Sequence, residues 1–140
     1  MILQSITALD ELLARSRTIA VVGASPNPAR PSHDVFTRLR AIEHFDVAPI
    51  NPGVASIDGV TAYRSLEAYA TARGAPDIVD VFRKASEAAG VAREAIAVGA
   101  KAIWFQYGVI NEEAIALADA AGLDVVVDRC LKIEAARLPR

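Results

Sequence analysis

Thr18-Ile19-Ala20-Val21-Val22-Gly23-Ala24-Ser25, followed by Pro26-Asn27-Pro28-Ala29-Arg30-Pro31-Ser32, decides the fold of this chain. The apolar, β-branched run predicts a buried strand, and Gly23 ends it. A glycine there lets the backbone turn sharply and come close to a ligand. Small and proline-rich residues follow. Then Val35, Phe36, Leu39 and Ile42 recur at helical spacing, with Ser32 as the expected N-cap. Strand, glycine turn and helix in that order make the phosphate-facing unit of α/β proteins. The 23–32 turn is therefore read as a cradle for the phosphates of a nucleotide-like ligand. Ser25 and Ser32 supply hydroxyls and Arg30 a fixed positive charge.

The same alternation continues outward from this unit. Upstream, residues 5–13 read as a short amphipathic helix capped by Ser5 or Thr7, with Ile6, Leu9 and Leu13 on one face. Downstream, strands are expected over 45–50, 76–82, 100–105 and 123–127, with a short edge segment over 60–63. Helices are expected over 65–72, 86–98, 111–121 and 129–136, the last capped by Asp128. This predicts an α/β fold: a Rossmann-like, doubly wound parallel sheet of five or six strands with helices on both faces. The expected strand order resembles 3-2-1-4-5 extended by one. No repeat, low-complexity segment or linker interrupts residues 1–140, so a single domain is expected. Ligands of such sheets bind at the carboxyl ends of the strands, near the reversal of strand order. The turns that should converge are 23–32, Asn51-Pro52, Phe82-Arg83, 106–109 and 128–130.

Composition narrows the function. A chain of 140 residues, 53% hydrophobic and 23% charged, suits one globular core. A formal charge of −2 gives no overall attraction to nucleic acid or to an anionic membrane. No apolar run approaches the ~20 residues that span a bilayer, and residues 1–17 lack the layout of a signal peptide. The single cysteine, Cys130, excludes an intramolecular disulfide, and a cytoplasmic setting is expected. With two histidines and no Cys/His cluster, no metal site is expected. A homodimer is compatible with the sequence, but nothing in it argues for one.

A nicotinamide dinucleotide is the default ligand of this architecture, and two features disfavour it. No further glycine follows Gly23 before Ser32, where the dinucleotide fingerprint needs them. The end of the second strand carries Asn51-Pro52 instead of an acidic residue for the ribose. A P-loop is absent, since no Gly-Lys-Ser or Gly-Lys-Thr occurs. Asp77 and Asp80 sit at the start and inside of their strand, the wrong end for a phosphate-accepting receiver domain.

Gly23-Ala24-Ser25 with Arg30-Pro31-Ser32, then Asn51-Pro52, then Asp77-Ile78-Val79-Asp80-Val81-Phe82-Arg83 form an ordered series. Gly99-Ala100-Lys101-Ala102-Ile103-Trp104-Phe105-Gln106-Tyr107-Gly108 and Asp128-Arg129-Cys130 with Glu134 complete it. On these motifs the chain resembles the small single-domain CoA-binding proteins. Those are similar to the CoA-binding domain of the succinyl-CoA synthetase α subunit and of ADP-forming acyl-CoA synthetases. The resemblance covers about 18–138 and implies coenzyme A or an acyl-CoA as the small-molecule ligand. It implies phosphate contacts from the backbone after Gly23 and from Ser25, Arg30 and Ser32, with Asn51 and Pro52 along the nucleotide. Phe82 offers a flat apolar contact and Arg83 a phosphate or adenine partner, while Gln106, Gly108 and Val109 would line the opposite wall. Core packing competes with ligand contact at Phe82, and Trp104 reads as core. His33 and His44 read as surface or capping residues, and Glu112 and Glu113 as helix-start charges.

Cys130 has two readings, a small buried hydrophobe or a thiol activated by Arg129 and a helix start and able to form a mixed disulfide with CoA. No nucleophile–His–acid set stands out, so binding without catalysis is expected. An enzyme or enzyme subunit acting on CoA thioesters, and a small NAD(P)-binding protein, remain the alternatives.

Overall fold

The computed structural model describes residues 1–139. Its elements run α1 (Ile6–Arg15), β1 (Thr18–Val22), α2 (Pro31–Arg40), β2 (Asp46–Ile50), β3 (Ser56–Ile57), β4 (Val60–Thr61) and α3 (Leu66–Arg73). They continue with β5 (Ile78–Val81), a 3₁₀ turn (Ala85–Glu87), α4 (Ala88–Ala97), β6 (Ala102–Phe105), α5 (Glu112–Ala120), β7 (Asp124–Val127) and α6 (Leu131–Ala135). Five strands form a parallel sheet in the order β2-β1-β5-β6-β7, so the order reverses between β1 and β5.

Strands of such a sheet are buried on both faces and read as continuous apolar runs. Ala20, Val22, Val79, Val81, Ile103 and Phe105 point into a cluster closed by Leu66 and Tyr69 of α3 and by Ala92, Ala95, Ala114 and Ala118 of α4 and α5. Ile19, Val21, Ile78, Trp104 and Val126 point the other way, against Leu9 and Leu13 of α1, Phe36 and Leu39 of α2, and Leu131 of α6. Trp104 is core as expected, and its indole N–H donates to the Arg129 carbonyl at 2.8 Å.

The expected edge segment is reduced. Beyond β2, a single parallel bridge joins Ile50 to Tyr63, while β3 and β4 pair as a small antiparallel hairpin. Pro49 explains part of this: it has no N–H to donate, which suits an edge strand. Its carbonyl accepts from Tyr63 N at 3.0 Å, and the ladder stops after Asn51 N donates to Tyr63 O at 2.9 Å. The expected order is thus present, with its third strand shrunk to one bridge.

Ser5, Ser65 and Asn111 cap their helices through side-chain oxygens. Ser32 and Asp128 do not. Arg30 occupies the N-cap of α2 because Pro31, with its fixed φ and missing N–H, fits the first helical position. Ser32 consequently lies inside the first turn and is buried. At the last helix Cys130 is the N-cap residue. Asp128 instead turns left-handed, at φ 58, and its Oδ1 accepts from Gly108 N at 2.9 Å.

Candidate ligand-binding cleft

The loops after β1, β2, β5 and β6, with the start of α6, enclose a cleft of about 1110 Å³ at the carboxyl edge of the sheet. Drug-sized ligands occupy pockets of roughly 300–1,000 Å³, so this one suits a long molecule. Four basic side chains line it, Arg30, Arg83, Lys84 and Lys132, against two acidic ones, Asp34 and Glu87. The cleft therefore carries a formal +2 on a chain of −2, a local field that favours an anion. Lys132 is held by Asp34, whose carboxyl Lys132 and then Arg38 keep below its usual pKa range. Arg83 reaches Glu87 only at 3.9 Å. Arg30 is exposed and has no ion-pair partner among the described residues. It stands at the N-terminus of α2, where free backbone N–H groups and the helix dipole add positive character.

The floor of the cleft is set by two backbone devices. Gly23 has φ +87, and a Cβ placed on it would lie 2.0 Å from the Phe82 carbonyl oxygen. The glycine thus lets the β1–α2 turn press against the end of β5, where Phe82 N donates to Val22 O at 2.8 Å. Its close approach is to the neighbouring strand end, a role the sequence reading had given to a ligand. Asn51 spans the other side: its Nδ2 donates to Ala24 O at 2.9 Å and its Oδ1 accepts from Gly53 N at 2.7 Å. That side chain ties the turn after β2 to the turn after β1 and fixes the wall that Pro52 and Gly53 continue. Ser25 Oγ accepts from Asn27 N at 3.1 Å and tightens the proline-rich loop.

Beneath the cleft lies a buried carboxyl. Asp80 is 0% exposed and pairs in register with Val21 on one side and Trp104 on the other. Burial pushes its pKa up to about 8, with the Gln106 hydrogen bond acting the other way. Gln106 Nε2 donates to Asp80 Oδ1 at 2.5 Å, and Asp80 Oδ2 has no partner.

The profile of the CoA-binding domain matches residues 17–136. The chain belongs to the CoA-binding domain family. The uncharacterised protein YneT of Bacillus subtilis (strain 168) is 38% identical over 125 residues, spanning 89% of this chain and 90% of that one. A hypothetical protein from Pyrococcus horikoshii OT3 superposes with a TM-score of 0.88 at 37% identity, covering 96% of this chain and 92% of that one. The apo dinucleotide-forming acetyl-coenzyme A synthetase 1 of Candidatus Korarchaeum cryptofilum superposes with a TM-score of 0.70 at 25% identity. There 84% of this chain matches only 27% of the synthetase. A fold like this one can thus match one part of a larger protein or nearly all of a small one.

In this CoA-binding domain the residues expected at the site converge. Gly23, Ala24, Ser25, Arg30, Pro31 and Ser32 line the cleft from one loop, and Asn51 and Pro52 from the next. Phe82, Arg83, Gln106, Val109 and Cys130 line it as well. Phe82 lines the cleft and also packs against the core. Gly108 does not line the cleft; its N–H is tied to Asp128 and its positive φ, +76, shapes the loop. Cys130 is buried, and Arg129 lies 3.6 Å from Glu134 and donates to Gln4 O.

Sequence reasoning missed Lys132, Asp34 and the Asp80–Gln106 pair. A signal for Asp80 existed: an aspartate within an otherwise apolar parallel strand has no solvent face to occupy. Both histidines hold contacts outside the cleft. His33 Nε2 lies 2.8 Å from Asp58 Oδ2 without hydrogen-bond alignment, and His44 Nε2 lies 3.2 Å from the Leu13 carbonyl. No helix among the described residues is long and apolar enough to cross a membrane.

Proposed function

We propose that this domain holds coenzyme A, free or as a thioester, in the cleft at the carboxyl edge of the sheet, as a carrier or sensor without a reaction of its own. The observation that carries the proposal is Arg30, without an ion-pair partner among the described residues, at the N-terminus of α2 and lining a large cleft of net positive charge. The residues fit the ligand's chemistry. Arg30, Arg83, Lys84 and the first turn of α2 suit the phosphates, as charge-assisted donors. Phe82, Val109 and Ile133 offer apolar surface to the base and to an uncharged arm. Binding alone is supported by the state of the nucleophiles. Ser25, Ser32 and Cys130 line the cleft, yet none forms a hydrogen bond with a histidine or a carboxylate among the described residues. A cytoplasmic setting fits the lone reduced thiol.

Calorimetric titration with CoA, dephospho-CoA, pantetheine and NAD tests the proposal. CoA is expected to bind and NAD not to. Arg30→Ala should weaken CoA by about 10-fold or more, in line with ~1.5–3 kcal/mol for a hydrogen bond to a charged group, and leave pantetheine unchanged. NAD binding in place of CoA overturns the ligand. Equal loss for CoA and pantetheine overturns the role of Arg30.

A further inference from the structure

Gln106 is 3% exposed, yet it lines the cleft. Its amide nitrogen is turned inward to Asp80. Its amide oxygen accepts no hydrogen bond and is not one of the buried unpartnered atoms, which are His33 Nε2 and Asp80 Oδ2 among the described residues. The oxygen therefore keeps solvent access, and the cleft is where Gln106 meets solvent. A primary amide presents an acceptor on one side and donors on the other, and whichever group lies behind it decides which side faces out. Here the group behind is a carboxyl sealed between β1 and β6.

Resting on the CoA assignment above, we propose that Asp80, as the carboxylate, is a positioning residue: it holds Gln106 so that the amide oxygen faces the cleft and accepts from an amide N–H of the pantetheine arm. The arm is the part of CoA with amide N–H groups and no charge. Val109, Cys130 and Ile133, which line the same cleft, carry no formal charge; Arg30, Arg83 and Lys84 come from the loops after β1 and β5, and the charge of Lys132 on α6 is met by Asp34.

The positioning has a proton dependence. As a carboxylate, Asp80 can only accept, so it fixes Gln106 Nε2 inward. As a neutral acid, it can also donate to the Gln106 oxygen, which allows the amide to turn its nitrogen to the cleft. Burial keeps Asp80 in the acid form up to about pH 8. No other titratable group near it is hydrogen-bonded to it. β1 and β6 present no titratable side chain. On α2, His33 contacts Asp58 and Asp34 is paired with Lys132 of α6 and Arg38. On α6, Glu134 is paired with Arg137 and Arg129, and Cys130 sits at the cleft. On α1, Asp10 pairs with Arg137 and Arg15 with Asp124, while Glu11 is exposed.

The test compares acetyl-CoA, whose sulfur does not titrate, with 3′,5′-ADP, which has no pantetheine arm, between pH 7.5 and 9, where the phosphates of both are ionised. In the native protein the affinity for acetyl-CoA relative to 3′,5′-ADP should rise at least threefold across that range. Asp80→Asn, which cannot ionise, should flatten the profile. Gln106→Leu should lower acetyl-CoA affinity at every pH and leave 3′,5′-ADP unchanged. A flat ratio in the native protein, an unchanged profile in Asp80→Asn, or equal losses for both ligands in Gln106→Leu overturns the inference while the CoA assignment stands. Failure of both ligands to bind the native protein overturns the two together.

Discussion

The sharpest consequence of the buried carboxyl concerns stability. Asp80 has a pKa near 8 in the folded protein against 3.8 when exposed. Between those values the folded state keeps a proton that the unfolded state has released. Stability falls wherever the folded state binds more protons, with a slope of about 1.4 kcal/mol per pH unit for one proton. The contribution of Asp80 is therefore fully present below pH 3.8 and lost progressively as pH rises towards 8. From pH 5 to pH 7 the loss is about 3 kcal/mol, a large share of the ~5–15 kcal/mol that holds a domain together. Asp80→Asn keeps the shape and an acceptor for Gln106 but cannot ionise. Urea unfolding of both proteins at pH 5, 6 and 7 reads the difference directly. The asparagine variant should gain on the native protein by about 2–3 kcal/mol over that interval. Groups common to both proteins cancel in the comparison. Asp34 and Asp77, whose pKa values are lowered, act in the opposite sense and below this window. A difference that stays constant from pH 5 to 7 would show that Asp80 is ionised in the folded state and refute the reasoning.

Other expectations follow from the same geometry. Gly23→Ala combines a left-handed backbone with a Cβ 2.0 Å from a carbonyl oxygen, so it should cost about 3 kcal/mol or more, whereas Gly108→Ala, with φ +76 and open space, should cost only ~1–2 kcal/mol in thermal or urea unfolding. Equal losses for the two would refute the collision with Phe82. Asn51→Ala removes the bonds to Ala24 and Gly53 and should lower stability by about 1–2 kcal/mol, with a matching loss of CoA affinity as the two loops separate. Arg30→Ala, whose side chain is exposed and unpaired, should leave the unfolding midpoint within about 0.5 kcal/mol of native, so that its effect on CoA is one of binding alone.

The architecture was legible because each strand of a parallel sheet is buried on both faces. Such strands announce themselves as apolar runs such as residues 18–22 and 102–105. The convergence of Arg30, Asn51, Phe82 and Gln106 followed from the same fact, since every strand-to-helix turn must fall on one edge. Pairings across the fold were not legible. The tie between Lys132 and Asp34 joins residues distant in the chain, and the local spacing points Asp34 to Arg38, four residues on, rather than to Lys132. The N-cap of α2 was misplaced by two residues, because the preference of serine for caps competed with that of proline for the first helical position, and proline won.

At Gly23 the place in the cleft and the need for a glycine have separate causes. The residue does line the cleft, but the contact that demands a glycine is with Phe82 O at the end of β5. In dinucleotide sites successive glycines bring the backbone up to a pyrophosphate. Here the one glycine is spent on drawing two strand ends together, and the loop beyond it is stiffened by Pro26 and Pro28 and by the Ser25–Asn27 turn. Pro26 and Pro28 have no N–H, so this loop offers fewer backbone donors than a glycine-rich one. On the proposed function, recognition of phosphate then rests chiefly on side chains that line the cleft and on the start of α2. That is where Arg30 stands unpaired, and it is why the charge of one arginine carries more of the assignment than the glycine that first drew attention to the turn.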